Sequence, residues 1–262
     1  MQLLAQAALD RIRSGEVSLG FGVQHLRGAA APMLAKAAGY DWLFIDSEHG
    51  ALSTDDIAQL CLASLTAGIA PIVRVCRDAL DEGTRALDAG ALGLVVPHID
   101  SAADARAMVE AFRFPPVGRR STGGPSAQFG YRPPPPGEMQ RALNAALMLI
   151  PMIETAEAVD NAEAIAAVPG IDALLIGSND LTLDMGIPGQ YGDARVKDAY
   201  ARVGAACRKH DRILAMGGIY DTQWAPHYIA AGARMVLAGS DHGLLFEAAT
   251  QRATMLREAA KG

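Results

Sequence analysis

Eight short apolar segments recur along the chain, and each is followed by a longer segment with helical periodicity. Because both faces of these segments are hydrophobic, each fits a parallel strand that is buried on both sides. Alternation of strand and helix repeated eight times is typical of a closed barrel with an outer ring of helices. The predicted strands cover residues 18–24, 42–48, 70–75, 93–99, 146–154, 173–180, 213–218 and 235–241. The sequence therefore predicts an α/β fold, a (β/α)8 TIM barrel, as a single domain over residues 1–262.

Local signals add detail to this prediction. In residues 1–13 apolar positions recur with helical periodicity and the charges lie on the other face, which indicates an extra amphipathic helix at the N-terminus rather than a signal peptide. Ser53 is placed to cap the helix after the second strand, and Gly68 is placed to end it. Ser101 and Thr155 are predicted to cap their helices in the same way.

Charge and cysteine content narrow the class of function. A net charge of −6 leaves no basic surface for nucleic acid or anionic membrane, so small-molecule chemistry is favoured. The three cysteines, Cys61, Cys76 and Cys207, have no spacing typical of disulfides or zinc. No segment approaches the roughly 20 apolar residues that cross a bilayer. We therefore expect a cytoplasmic protein.

One connection is long and irregular, from residue 115 to residue 137. It contains a glycine-rich stretch and then the four consecutive prolines 133–136, which are incompatible with a helix interior or a central strand. Long loops in economical barrels are usually functional. This pattern predicts a lid or a subunit contact, with a solvated insertion as the alternative.

Polar residues concentrate where the predicted strands end, which is the catalytic face of such barrels. Glu154 and Asp180 end adjacent strands, and two carboxylates so placed repel each other unless a cation lies between them. Mg²⁺ and Mn²⁺ prefer such a site with few protein ligands. The alternative is that Asp180 caps a helix while Glu154 pairs with an arginine.

Arg74 and His49 complete the predicted catalytic group. The planar guanidinium of Arg74 suits a carboxylate or an enolate oxygen, although a salt bridge to Asp46 or Asp88 is also compatible with its position. His49 is a candidate general acid or base whose pKa would be tuned by Asp46 or Asp88.

Other residues near strand ends are assigned supporting roles. Glu48 and His98 are predicted to support the catalytic groups without contacting the substrate. Together with His98, His25 and His242 leave a zinc site as an alternative, but no HxH or HExxH spacing favours it. The only lysines, Lys36, Lys197, Lys209 and Lys261, lie in predicted helices or the tail, which argues against a Schiff-base mechanism.

Taken together, six ordered motifs resemble the HpcH/HpaI aldolase family, especially its branch that contains macrophomate synthase. The motifs occupy residues 46–50, 74, 86–98, 118–121, 150–155 and 176–181. This resemblance implies a class II aldolase that cleaves and forms 4-hydroxy-2-oxo acids from pyruvate or a hydroxypyruvate-like donor and an aldehyde. An oxaloacetate-type decarboxylating enzyme, a citrate-forming enzyme and a CoA-ester lyase are alternatives, as is a metabolite-binding protein without catalysis.

The resemblance also implies roles for individual residues. Glu154 and Asp180 would hold Mg²⁺, Mn²⁺ or Co²⁺, which the donor would also chelate, and Arg74 would bind the 2-oxo oxygen. His49, with Asp46 and Asp88 nearby, would move protons to and from the 4-hydroxyl group. The donor carboxylate would be held by the segment that contains Gly177, Ser178 and Asn179.

Some positions depart from the family pattern. Met152 stands where many relatives have glutamine, Ser178 replaces the proline of a Gly-Pro-x-Asp run, and Gly124 stands where serine is common, with Ser126 as a possible substitute. Relatives also exchange a C-terminal helix in a hexamer, a trimer of dimers. We accordingly expect residues 244–260 to form a helix that is exchanged between subunits, with an ordinary eighth barrel helix as the alternative.

Overall fold

The computed structural model describes residues 3–124 and 126–261, and its strands form one closed, parallel barrel in the order β1 to β8. Each strand pairs with the next, and β8 pairs with β1. The strands are β1 (Ser18–Val23), β2 (Trp42–Asp46), β3 (Ala70–Arg74), β4 (Gly93–Val96), β5 (Met148–Ile153), β6 (Ala173–Gly177), β7 (Ile213–Gly217) and β8 (Met235–Ser240). The predicted TIM barrel is confirmed.

Each strand ends one to three residues before its predicted end. Backbone pairing stops at Ile153 and Gly177, for example, so that Glu154 and Asp180 lie just beyond the barrel wall. The sequence pattern predicts both acids as strand residues because Glu154 directly follows an apolar run and Asp180 lies only three residues after β6. Their true position, in loops or at helix starts, leaves their side chains free to face the mouth of the barrel.

Twelve α-helices surround or close the barrel in the described part of the chain. They are α1 (Gln6–Arg13), α2 (Ala30–Ala37), α3 (Thr54–Ala67), α4 (Leu80–Asp88), α5 (Ala102–Phe112), α6 (Pro136–Ala146), α7 (Ala156–Asp160), α8 (Ala162–Ala166), α9 (Ser178–Asp184), α10 (Ala194–Lys209), α11 (Trp224–Ala230) and α12 (Asp241–Ala259). The predicted caps are confirmed at Ser53, Ser101 and Thr155, each of which accepts a backbone N–H from the third residue of its helix. Gly68 ends α3 in the left-handed conformation, with φ 71°.

The predicted N-terminal helix is present as α1 and packs at the N-terminal end of the barrel. Leu9 and Ile12 are fully buried, and burial of each such side chain contributes roughly 1.5–3 kcal/mol. Arg13 donates a hydrogen bond from Nη2 to the carbonyl of Ala146, two residues before β5 begins. Helix α1 therefore covers the end of the barrel opposite the strand ends that carry the polar residues.

The long connection before α6 packs at this same N-terminal end. The side chain of Gln128 donates from Nε2 to the carbonyls of Leu87, near the end of α4, and Ala91, just after it. The backbone carbonyl of Gln128 accepts the N–H of Leu4. None of the connection's described residues lines the cavity at the other end of the barrel. The connection is therefore not a lid over its own chain's cavity. A subunit contact remains a prediction. The last proline of the run, Pro136, begins α6, because a first-turn position needs no N–H donor.

The final helix, α12, is largely uncovered. Within it only Asp241 is buried, whereas Leu245, Phe246 and Leu256 are 67%, 74% and 58% exposed. An ordinary barrel helix would bury one apolar face against its own strands, so that alternative does not describe α12. Across residues 3–124 and 126–261, no helix has the length and apolar character needed to cross a membrane.

Candidate active site

A cavity of about 310 Å³ opens at the C-terminal ends of the strands. Residues from seven of the eight strands or the loops after them form its wall: Gly22, Gln24, Phe44, Asp46, His49, Arg74, Met152, Glu154, Leu175, Gly177, Ser178, Asn179, Asp180, Gly217, Gly218, Tyr220, Leu237, Ser240 and His242. Five of the six residues predicted to be catalytic or metal-binding are therefore brought together from separate parts of the sequence: Asp46, His49, Arg74, Glu154 and Asp180.

Arg74 is held by two acids at the floor of this cavity. It is the register partner of Asp46 across β2 and β3, and it donates from Nε and Nη2 to the two carboxylate oxygens of Asp46 at 2.9 and 2.6 Å. Its Nη1 lies 3.2 Å from Oε2 of Glu48. The salt bridge to Asp46 that the sequence left open is thus present, and Arg74 nevertheless also lines the cavity.

His49 lies at the mouth of the cavity, with its side chain 64% exposed. The acid next to its ring is Glu48, whose Oε2 lies 3.8 Å from Nε2. Asp46 instead accepts the backbone N–H of His49 at 3.2 Å. The predicted pairing of the ring with Asp46 is therefore replaced by Glu48, because Asp46 faces inward toward Arg74.

Glu154 is almost completely buried directly after β5. Burial raises the pKa of Glu154 to about 7, and the negative charge of Asp180 adds to the rise, while the backbone N–H of His98 acts against it. That N–H donates to Oε2 at 3.0 Å, from a His98 backbone in the left-handed region at φ 52°. Such a conformation is uncommon outside glycine, and here it aims the peptide at the carboxylate.

Gly177 makes room for Glu154 between β5 and β6. A Cβ at this position would lie 2.5 Å from Oε1 of Glu154, so that any larger residue would displace the carboxylate. Asp180 lies three residues later, in the first turn of α9, and is exposed to the cavity. The two acids thus face a common space in which they repel each other unless a cation compensates them.

Two hydrogen bonds fix the segment between these acids. The hydroxyl of buried Ser178 lies 2.8 Å from the hydroxyl of Tyr200 on α10, and Oδ1 of Asn179 accepts from the hydroxyl of Tyr191 at 2.6 Å. Where many relatives have proline, this chain therefore anchors the segment through a hydroxyl pair. Sequence reasoning did not identify Tyr191 or Tyr200, because neither lies near a strand end.

Asp88 is not part of this cavity within one chain. It is the last residue of α4, which runs away from the catalytic face, and its Oδ1 accepts from Nη2 of Arg120 at 2.7 Å. Arg120 belongs to the long connection at the N-terminal end of the barrel. The predicted proximity of Asp88 to His49 is therefore not found in the described structure of a single chain.

The three histidines of the zinc alternative do not converge. His98 contacts Glu154, with Nδ1 3.6 Å from Oε2, whereas His25 packs against His242. In the described ranges, no group of three or more histidine, cysteine or acidic side chains is arranged to hold a metal. Gln24, which sequence reasoning missed, donates from Nε2 to Oδ2 of Asp46 at 2.8 Å.

Comparison with known proteins gives a consistent family. The family model described as HpcH/HpaI aldolase/citrate lyase matches residues 23–248. A 4-hydroxy-4-methyl-2-oxoglutarate aldolase from Hapsidospora irregularis is 38% identical over 90% of this chain and 89% of that protein. A 4-hydroxy-2-oxovalerate aldolase from Novosphingobium aromaticivorans is 39% identical over 92% of this chain and 90% of that protein.

Solved structures agree with the sequence relatives. The citrate synthase SbnG superimposes with a TM-score of 0.86 at 26% identity, over 97% of this chain and 98% of that one. Macrophomate synthase superimposes with a TM-score of 0.84 at 25% identity, over 99% of this chain and 90% of that one. Given the barrel, the clustered polar residues and these matches, the chain belongs to the HpcH/HpaI aldolase/citrate lyase family and is a carbon–carbon lyase.

Proposed function

We propose that the protein is a divalent-metal-dependent class II aldolase that reversibly cleaves 4-hydroxy-2-oxo acids into a pyruvate-like donor and a carbonyl acceptor. The observation that carries this proposal is the convergence of Arg74, His49, Glu154 and Asp180 on one cavity. These residues supply, respectively, a fixed positive charge, a titratable group and a pair of acids. None of the chain's four lysines is among the residues that line this cavity, which favours this mechanism over a Schiff base.

The paired acids fit a hard divalent cation. Glu154 and Asp180 provide two carboxylates in a cavity with space for water and substrate oxygens, as Mg²⁺ and Mn²⁺ prefer. The buried, electrostatically disfavoured charge of Glu154 is what a cation would compensate. When bound, Mg²⁺, Mn²⁺ or Co²⁺ supplies Lewis-acid polarisation of the 2-oxo group.

Arg74 is positioned to stabilise the charge that develops during cleavage. Its Nε and one N–H of Nη2 are used by Asp46, which fixes the plane of the guanidinium, while the group still lines the cavity. We assign its free N–H groups to the 2-oxo oxygen of the donor. A preorganised donor of this kind is usually worth about 10²–10³ in rate.

Proton transfer is assigned to His49, with Glu48 beside it. The exposed ring can reach a 4-hydroxyl group at the mouth directly or through water. Glu48 bridges His49 and Arg74, so that it orients both groups. The backbone around Ser178 and Asn179, held by the tyrosine hydroxyls, is assigned to the donor carboxylate.

A closed oligomer completes the proposal. The uncovered apolar side chains of α12, among them Leu245 and Phe246, would be covered by a second copy of the chain. We infer that the exchanged helix and the hexamer implied by the family resemblance would cover this surface. Cytoplasmic location stays a prediction from composition.

The decisive experiment measures pyruvate release from 4-hydroxy-2-oxo acids with a coupled lactate dehydrogenase assay. EDTA-treated protein should lose activity, and Mg²⁺, Mn²⁺ or Co²⁺ should restore it. Oxaloacetate decarboxylation and acetyl-CoA condensation are assayed in parallel. Full activity in a metal-free preparation, or turnover only in the parallel assays, would contradict the proposal.

A further inference from the structure

A pair of histidines stands at the rim of the cavity where β8 and β1 end. The rings of His25 and His242 pack edge to face, with centroids 5.1 Å apart and planes at 83°. His242 lines the cavity, and His25 lies next to it on the loop after β1. Neither ring is used by the donor half of the proposed mechanism.

Asp241 builds this pair into the fold. Its Oδ2 accepts the backbone N–H groups of Gln24, His25 and Leu26 at 3.1, 2.8 and 2.6 Å. Its Oδ1 accepts the N–H of His242 at 2.8 Å. One buried carboxylate thus ties together two segments more than 200 residues apart in sequence, and four N–H donors compensate its charge.

Local contacts orient the ring of His242. Its Nδ1 lies 3.5 Å from Oδ1 of Asp241 and 3.3 Å from Oγ of Ser240. Nδ1 is directed at these groups, so that Nε2, at the other side of the ring, is the nitrogen left to bind a ligand. The ring is half exposed, as a group that meets an incoming substrate must be.

The charges of the cavity single out this position. Asp46, Glu154 and Asp180 make the wall acidic, and the side chains in it that can carry positive charge are Arg74, His49 and His242. Arg74 is bound by Asp46 and Glu48 and is assigned to the donor, and His49 is assigned to proton transfer. Of these three residues, only His242 has no role in the proposed mechanism.

The barrel topology separates this position from the donor site. Glu154 and Asp180 follow β5 and β6, whereas His25 and His242 follow β1 and β8. In a closed ring of eight strands these pairs lie across the mouth from each other. A substrate whose 2-oxo end is held at β5 and β6 would extend its C4 substituents toward the two histidines.

We propose that His242, supported by His25, binds a carboxylate on the acceptor half and selects 4-hydroxy-2-oxo acids that carry a second carboxylate on C4. This inference rests on the proposed function. Cleavage breaks the C3–C4 bond, whose electron pair stays on C3, and C3 then takes up a proton to form the methyl group of pyruvate. The 4-hydroxyl loses its proton to His49, so C4 becomes the carbonyl of a second 2-oxo acid.

Two substrates that the relatives' names provide distinguish the possibilities. Of these, 4-hydroxy-4-methyl-2-oxoglutarate carries the second carboxylate, and 4-hydroxy-2-oxovalerate lacks it. The measured quantity is the ratio of kcat/KM for the first substrate to kcat/KM for the second. His242→Leu should lower this ratio about 10-fold, the usual value of a hydrogen bond to a charged group.

Further variants separate charge from packing. His242→Arg, which supplies N–H donors and a positive charge, should hold the ratio within a few-fold of wild type, and His25→Leu should lower it less than His242→Leu does. His227→Leu, on α11 and outside the cavity wall, serves as the matched control and should not change the ratio.

The outcomes are distinct. If the wild type cleaves both substrates and His242→Leu leaves the ratio of their kcat/KM values unchanged, the carboxylate site is overturned while the proposed function stands. The same holds if the wild type cleaves only 4-hydroxy-2-oxovalerate. If the metal-loaded wild type cleaves neither substrate, the proposed function fails and this inference fails with it.

Discussion

Arg74 and Asp46 are joined by two parallel hydrogen bonds, from Nε to Oδ1 at 2.9 Å and from Nη2 to Oδ2 at 2.6 Å. The two residues are direct partners at the ends of β3 and β2, so the sheet register itself creates this pair. Burial acts to raise the pKa of Asp46, but Arg74, together with hydrogen bonds from Gln24 and the backbone of His49, holds that pKa below its ordinary value. The pair is therefore an ionised, oriented element of the cavity floor.

Asp46→Asn should destabilise the protein by up to about 3–5 kcal/mol at pH 7, because it removes the charge of the acid that binds the buried guanidinium through two hydrogen bonds and leaves Glu48 as its paired acid. Since the folded pKa of Asp46 is lowered, its stabilisation is present above the ordinary pKa and is lost as pH falls through the folded value. Urea unfolding of wild type and variant should therefore converge at low pH. Asp81→Asn, at an exposed pair on α4, is the control, and equal stability at pH 7 would contradict the expectation.

Arg74→Lys should lower kcat about 100-fold although the charge is kept. An ammonium group cannot form the bidentate hydrogen bonds to Asp46 and contact the donor substrate as well. Steady-state cleavage assays with saturating metal test this. The control is Arg77→Lys, at an exposed arginine near Asp100 and Asp104. Wild-type rates in Arg74→Lys would reduce Arg74 to a structural partner of Asp46.

His49→Gln should impair aldol cleavage more than pyruvate enolisation, because only cleavage requires a group that accepts the 4-hydroxyl proton. We expect a loss of about 100-fold in cleavage, with a smaller loss in deuterium exchange at the methyl group of pyruvate measured by NMR. His227→Gln provides an exposed histidine control on α11. Losses of equal size in the two assays would reject this role for His49.

Glu154→Gln and Asp180→Asn should each weaken Mn²⁺ binding, measured by calorimetry without substrate. Because Glu154 and Asp180 are proposed as direct ligands, each substitution should lower Mn²⁺ affinity by more than the roughly 10-fold to 100-fold that is typical of outer-shell partners. Glu157→Gln removes an exposed acid nearby on α7 and should leave affinity unchanged. Unchanged affinity in either of the first two variants would remove that acid from the metal site.

Truncation after Gly243 should reduce both oligomer size and thermal stability, because it removes apolar side chains of α12 that their own barrel leaves uncovered. Multi-angle light scattering of intact and truncated protein measures the first effect, and thermal unfolding measures the second. Replacement of exposed Glu247 by Gln keeps the helix and serves as the control. A monomeric intact protein at assay concentration would refute the expectation.

The sequence predicted the cavity residues at the strand ends and misplaced Asp88, which ends a helix. Arg74 ends β3, Glu154 directly follows β5 and Asp180 lies three residues after β6, and barrel topology puts all strand ends at one face. Asp88 is close to Arg74 in the chain, but α4 lies between them. A helix of nine residues advances about 13 Å, which carries Asp88 toward the opposite face.

The sequence by itself determined the eight strands, the first helix, the helix caps and the set of acids and bases at the strand ends, because these follow from local periodicity and residue chemistry. Only the tertiary structure decided the partners of those groups: Glu48 rather than Asp46 beside the ring of His49, and Gln24 on Asp46. Likewise, Asp241 meets the loop after β1 across a separation of 217 residues. Such contacts depend on how the barrel closes and on which side-chain directions its register permits, and neither is encoded in any local stretch of the chain.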